Sequence, residues 1–258
     1  NFASLFMMKS LVEDINMIDR QNRNLEFEVG VIGGLNYSSI NYNYTDDPLL
    51  SDLKNRTESG NFGWAYGLEA GLKIYDYWII QTGLEFQTFY TKFNYTDEQI
   101  ELKTYENQLS KIWLDGSDTL KVEYRNVTTS VTTSRKVVNY NKYTQLSIPM
   151  TVGYGSKSEN LLYGLTVGAS FNFTKDQSGK TIDEARILQT YDNNSLARPI
   201  TDFNVGLRLS PFLGYNLTEN MVVIWKPNFQ FQRHSNPTVR STLQLYQMGM
   251  NFGLQIKI

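Results

Sequence analysis

Residues 246 to 258 alternate without a break: Tyr246, Met248, Met250, Phe252, Leu254, Ile256 and Ile258 stand against Gln247, Gly249, Asn251, Gly253, Gln255 and Lys257. Strict period two marks a strand with one apolar and one polar side. A tilted strand crosses a bilayer in about 9–11 residues, whereas strands of soluble domains usually run to about 5–6. The pattern recurs over 25 to 37, where Leu25, Phe27, Val29, Val31 and Leu35 oppose Glu26, Glu28, Gly30, Gly34 and Asn36, with Ile32 the one apolar residue on the polar side. Over 61 to 75 the apolar set is Phe62, Trp64, Tyr66, Leu68, Ala70, Leu72 and Ile74, and after a turn at Tyr75-Asp76-Tyr77 come Trp78, Ile80, Leu84 and Phe86. Segments near 143 to 154, 161 to 173, 200 to 215 and 220 to 233 bring the predicted strands to eight.

Connection lengths turn this count into a topology. Links after the second, fourth and sixth strands are short (near Asp76, Gly155 to Glu159, and Asn216 to Glu219), while those after the first, third and fifth run over about 44 to 60, 96 to 137 and 175 to 199. A shorter fourth loop falls near His234 to Arg240. Aromatics gather at both strand ends: Tyr75, Tyr77, Trp78, Tyr154, Tyr163 and Tyr215 at one, Phe62, Trp64, Tyr90, Phe173, Phe231 and Tyr246 at the other. Two such girdles are what membrane interfaces favour. The expected fold is all-β: a closed antiparallel eight-stranded transmembrane β-barrel with short periplasmic turns and long extracellular loops, both termini periplasmic.

Composition agrees. Aromatics make up 14% of the chain, with 18 Gly, 6 Pro and no Cys, so strands are favoured and no disulfide holds them. A mean hydropathy of −0.39 ordinarily suggests a soluble protein, but a barrel keeps half of each strand polar. No stretch of 18 apolar residues is present, which excludes a transmembrane helix. The net charge of −2 shows no basic face for nucleic acid. A start at Asn1 fits a processed or truncated product.

The last eight residues resemble the C-terminal signal by which outer-membrane barrels are recognised for assembly, with Asn251, Gly253, Ile256 and Ile258 at its defined positions and Ile in place of the commoner final Phe. Residues 143 to 154, with a central Ile148-Pro149, look like a strand of the outer-membrane β-barrel proteins of Bacteroidetes. The resemblance covers about 25 to 258. It implies location in a bacterial outer membrane, outer-membrane lipid around the barrel, and the barrel assembly machinery as a partner during biogenesis. That family includes porin-like proteins, members of secretion and gliding machinery, and barrels tethered to an anti-sigma domain.

Eight strands enclose an interior just wide enough to be filled by side chains. Inward positions carry Glu69 and Glu85 on the second and third strands, and Arg208 and Lys226 on the sixth and seventh. In an eight-membered ring strand two faces strand six and strand three faces strand seven, so the acids look across at the bases. A structural charge network is expected, because buried charges in membranes survive by pairing.

Nothing points to catalysis. His234 is the sole histidine and reads as a solvated loop residue beside Ser235, whose side chain points the other way on an extended chain. No Cys or second His is available for a zinc site, and no phosphate-cradling loop or nucleophile elbow is found, so neither metal nor cofactor is expected. Of the Asn-x-Ser/Thr triplets at Asn36, Asn43, Asn94, Asn126 and Asn172, Asn36 and Asn172 fall on lumen-facing positions where no glycan fits.

The loop over 96 to 137 contains strand-like runs and predicts a hairpin extending the third and fourth strands, while Ile182 to Gln189 predicts a short helix over the mouth. Residues 1 to 24 form a periplasmic, partly helical segment in which Leu5, Met8, Val12 and Ile15 make an apolar stripe suited to docking a protein partner. The expected role is a non-enzymatic membrane anchor or subunit of an outer-membrane protein assembly with a plugged lumen. The alternatives are a small pore or ligand transporter, the barrel of a periplasm-spanning signalling protein, an outer-membrane hydrolase, and a soluble β-sandwich or lipocalin-like binder.

Overall fold

The structure, a computed structural model, describes residues 25–74, 77–116, 118–195, 198–236 and 241–258. The proposed docking stripe of Leu5, Met8, Val12 and Ile15, and the girdle residue Tyr75, lie outside the described residues. Within them run β1 (Leu25–Tyr44), α1 (Pro48–Thr57), β2 (Glu58–Ile74), β3 (Trp78–Asp115), β4 (Asp118–Ser158), β5 (Leu161–Ile182), β6 (Leu188–Tyr191), β7 (Phe203–Asn216), β8 (Met221–Asn236) and β9 (Ser241–Lys257). The strands pair in the order β4-β3-β2-β1-β9-β8-β7-β5, and β5 pairs β4 in turn, so eight antiparallel strands form a ring. β6 adds only to the last residues of β5.

The chain divides into two compact units. One holds the ring. The other, Asn94–Val138, is made of the last part of β3 and the first part of β4, turned by Gly116 at φ 62°, a left-handed conformation that suits a residue without a Cβ. Those of its side chains that are described are largely exposed on both faces, with the Thr104 and Thr128 hydroxyls 2.9 Å apart across the pair.

Alternation decides which way each side chain points, and along the ring its polarity reverses once. From Leu25 to Tyr37 the outward residues of β1 are Leu25, Phe27, Val29, Val31, Leu35 and Tyr37, all exposed, while Glu28, Asn36 and Ser38 are buried. From Ser39 onward the parity is unchanged but the chemistry inverts: Asn41 and Asn43 face outward, and Ile40 and Tyr42 are buried. β9 does the same, with exposed Met248 and Met250 over buried Gln247 and Asn251, then outward Gln244 beside buried Leu243 and Leu245. On β3 the buried side passes from Glu85 and Gln87 to Phe89 and Phe93, while the outward side reaches Lys92. The strands therefore run past the apolar band, which is why β1 and β5 are longer than the alternation predicted.

Two of the loop expectations change. The first long connection contains α1, capped by Asp47, whose side chain accepts from the Leu50 amide at 2.9 Å, with Pro48 opening the helix. Leu50, Lys54 and Thr57 lie along its buried side. Ile182 to Gln189 is not a helix but the bend of a small hairpin, in which Asp183 accepts from the Ile187 amide at 2.7 Å and Arg186 adopts φ 62°. The bend lets Ile182 and Tyr191 both reach the interior, which helical spacing does not allow them to do together.

One seam is imperfect. β7 and β8 pair at Gly206–Leu209 and again at Leu213–Asn216 in the same register, which sets Pro211 directly opposite Pro227 where the pairing lapses. Neither proline can donate to the ladder.

Candidate functional site

The interior of the ring is layered. At the short-turn end Ile79, Leu162, Phe212 and Ile224 pack together. Next come the ionised groups. Lys226 Nζ donates to Glu69 Oε1 at 2.7 Å and to Gln81 Oε1 at 2.9 Å. The Arg208 guanidinium grips both oxygens of Glu85, through Nη1 to Oε2 and through Nη2 to Oε1 at 3.5 Å. Arg208 is 2% exposed and Glu85 1%. All four residues named from the sequence meet, but the pairs cross: strand tilt and stagger displace partners around the ring, so Glu85 on β3 pairs with β7 and Glu69 on β2 with β8. No water-sized space remains where Pro149 and Thr151 pack among these groups.

Above the charges lies a layer of amides and hydroxyls. Gln230 donates to Ser170 at 2.9 Å and to Asn172 at 3.0 Å, Ser147 donates to Asn172 at 2.7 Å, and Gln232 links Gln145 with Gln247 at 3.3 Å each. Asn36 and Asn172 are buried here, as their inward parity required. Buried side-chain atoms of Asn36, Asn251 and Gln255 have no protein partner among the described residues; groups of this kind are normally met by interior water.

His234 belongs to this interior, contrary to its expected place in solvent. It continues the inward set of Lys226, Asn228, Gln230 and Gln232 on β8 and is 2% exposed. Its Nδ1 lies 2.9 Å from the Thr201 hydroxyl and its Nε2 3.2 Å from Gln232 Oε1. Burial pushes its pKa down to about 4. Ser235 points outward, so the two do not form a nucleophile and base.

At the far end, Ile40, Tyr42, Phe89, Tyr143, Tyr191, Ile200, Leu243 and Leu245 form an apolar cluster. Glu58 is buried at its edge and accepts from Tyr42 (2.6 Å), Asn141 (3.0 Å), Tyr143 (3.3 Å) and Thr91. The Tyr143 and Tyr191 hydroxyls are 2.6 Å apart. Burial, with the Glu58 carboxylate nearby, holds the hydroxyls of Tyr42, Tyr143 and Tyr191 well above the ordinary tyrosine range. With four donors on its oxygens, Glu58 acts as an anchor. Lys54 fixes α1 to β1: its Nζ donates to the Tyr44 hydroxyl at 2.7 Å and sits 5.1 and 4.9 Å from the Tyr42 and Tyr44 ring centres, and burial lowers its pKa to about 8. Sequence reasoning missed this cluster, although Asp47-Pro48 followed by Leu50, Lys54 and Thr57 at helical spacing signals α1.

Outside, the apolar band is bordered by contacting aromatics. Tyr37 meets Phe62 at 5.4 Å, Phe173 meets Phe203 at 5.1 Å and Phe231 meets Tyr246 at 5.2 Å on the long-loop side, while Tyr77 stacks on Tyr154 at 5.6 Å on the other. Of the assembly-signal residues, Asn251 on β9 is buried, Gly253 pairs with Ile32 and with Ile224, and Ile256 and, just past the end of β9, Ile258 are exposed. Among the described residues no cluster of His, Cys, Asp and Glu is suited to a metal ion.

The molecule is thus defined as an all-β antiparallel ring of eight strands with an apolar outer band over a polar interior. No protein-family model matches the chain, and no curated protein matches it. Among solved structures it is similar to Neisserial surface protein A (10% identity over 90% of this chain and 97% of that one, TM-score 0.44). It is similar to the outer membrane protein OprG from Pseudomonas aeruginosa (11%, 88% and 95%, 0.42) and to a major outer membrane protein from Thermus thermophilus (12%, 91% and 99%, 0.40). Likeness at this level carries no role across to this chain.

Proposed function

We propose that this chain is a β-barrel of the bacterial outer membrane that performs no catalysis and acts as the membrane anchor or a subunit of an outer-membrane protein assembly. The observation that carries the membrane reading is the reversal of polarity along β1, β3 and β9. Where the outside is apolar the inside is polar, and a few residues on both sides exchange chemistry without a change of parity. Water on both sides of the wall gives no reason for that exchange, whereas a strand leaving hydrocarbon for water requires it.

The lumen is closed. Apolar clusters seal the charged and amide layers from both ends, and the charged groups are spent on one another. Closed interiors neither conduct nor hold substrate, which leaves the hairpin Asn94–Val138 and the N-terminal segment to meet partners. The test joins three measurements. The protein is expected to fractionate with outer membranes and to migrate on gels as a compact, heat-modifiable species. It is expected to give no steady current in planar bilayers; a stable ohmic conductance overturns the closed lumen. Deletion of the hairpin or of residues 1–24 is expected to lose a protein co-purified from native membranes, and retention of every partner by both deletions overturns the anchor role.

A further inference from the structure

We propose that one arc of the ring, carried by β3, β4 and β5, binds the phosphate of anionic lipid headgroups in the leaflet on the long-loop side. The proposal rests on the membrane reading above.

Three exposed lysines carry it. The Thr88 and Thr144 hydroxyls are 3.4 Å apart and the Phe89 and Tyr143 rings stack at 5.0 Å, which fixes the register of β3 against β4. Two residues further on, the same register sets Tyr90 opposite Lys142 and Lys92 opposite Tyr140. Lys175 follows on β5, at the irregularity where β4 pairs Gln145 with Thr174 and Thr144 with Asp176. Each lysine stands on the outward face beyond the apolar residues of its strand: Lys175 two positions past Phe173, Lys142 four from Leu146, and Lys92 six past Phe86 with Tyr90 between. Headgroup phosphates lie at that height, with Tyr90 and Tyr140 as interfacial neighbours.

Charge on the arc is unbalanced. Among the described residues Lys92 and Lys175 have no acid within 4.0 Å, and Lys142 reaches only Asp176, at 4.0 Å, whose other oxygen accepts from Asn193 at 3.1 Å. The opposite arc at the same height is neutral, with Ser39, Asn41 and Asn43 on β1, Ser59 on β2 and Thr242 and Gln244 on β9. Arg233 on β8 also faces outward, with no acid within 4.0 Å among the described residues. At the short-turn end Lys157 sits with Glu159 and Glu219 in neighbouring turns. Lysines placed for solubility alone have no reason to keep to three adjacent strands at one height; a leaflet rich in phosphate supplies one.

The test uses the full chain in vesicles of phosphatidylcholine doped with spin-labelled phosphatidylglycerol or spin-labelled phosphatidylcholine, and reads the motionally restricted lipid fraction. Wild type is expected to prefer phosphatidylglycerol by about threefold, given that each basic residue near an anionic surface contributes modestly. The preference is expected to vanish in K92Q/K142Q/K175Q, to persist in R233Q, and to collapse as ionic strength rises from about 0.01 to 1 M. Equal association of the two lipids with wild type overturns the proposal, as does a preference that survives the triple substitution. Loss of the preference in inorganic phosphate at constant ionic strength also overturns it, because the arc is then a site for the free ion. The absence of any restricted lipid, for either label, instead defeats the membrane reading itself.

Discussion

The two stretches of β1 on either side of Tyr37 obey one geometry and opposite chemistry. Leu25 to Tyr37 is apolar outside and polar inside; Ser39 to Tyr44 is polar outside and apolar inside. The second stretch, with its buried Ile40 and Tyr42, is stabilised as soluble proteins are, by removing hydrocarbon from water. On the membrane reading proposed above, the first has no such force available, since its apolar residues exchange one apolar solvent for another. It must be held by backbone pairing and by ion pairs and hydrogen bonds made inside the ring. The difference teaches that two kinds of stability coexist along a single strand, and substitutions can tell them apart.

The largest effect is expected inside the band. Arg208→Met leaves Glu85 buried without its partner and is expected to cost about 3–5 kcal/mol, measured as the shift of the urea unfolding curve in vesicles. Adding Glu85→Gln to it removes the orphaned charge and is expected to recover much of the loss. A single variant as stable as wild type contradicts the pairing described. On the outer surface, Leu68→Arg at mid-band is expected to cost about 2–4 kcal/mol, whereas Asn41→Arg beyond the inversion is expected to change stability by well under 1 kcal/mol. Equal costs would erase the boundary between the two regions.

The extension has its own pH dependence. His234 has a folded pKa of about 4 against 6.5 in the unfolded chain. The unfolded state therefore takes up a proton that the folded state refuses, so stability is full above about pH 6.5, declines as pH falls toward 4 and changes no further below it through this group. The whole step amounts to about 3 kcal/mol, and His234→Asn is expected to flatten that window of the pH–stability curve. The smallest effect belongs to the imperfect seam. Pro227→Val returns one donor to the ladder opposite Pro211 and is expected to stabilise by about 0.5–1.5 kcal/mol; unchanged or reduced stability means that the carbonyl it faces already has a partner.

Much of the ring was legible because period two is a local property. The eight strands, their faces, the short and long connections and the inward parity of Glu69, Glu85, Arg208 and Lys226 all follow from residues two apart. The same reading stopped β1 at Tyr37, because Ile40-Asn41-Tyr42-Asn43-Tyr44 reverses which chemistry sits on which face and then resembles a loop. His234 was misplaced for that reason: beyond Phe231 the apolar signal ends, but the strand and its parity do not. α1 was overlooked because a helix of 10 residues buries little, although its capping residues are explicit.

By itself the sequence determined the element type, the number of strands in the ring and which side chains face inward, because the pleat assigns every residue to one of two faces. Tertiary structure alone decided who meets whom. The stagger of the ring crossed the ion pairs to Glu85–Arg208 and Glu69–Lys226, bent Tyr191 back onto Tyr143, and brought Glu58, Asn141 and Thr91 to one point. Those contacts join residues tens to more than a hundred positions apart, and no local period encodes the shear that sets them side by side.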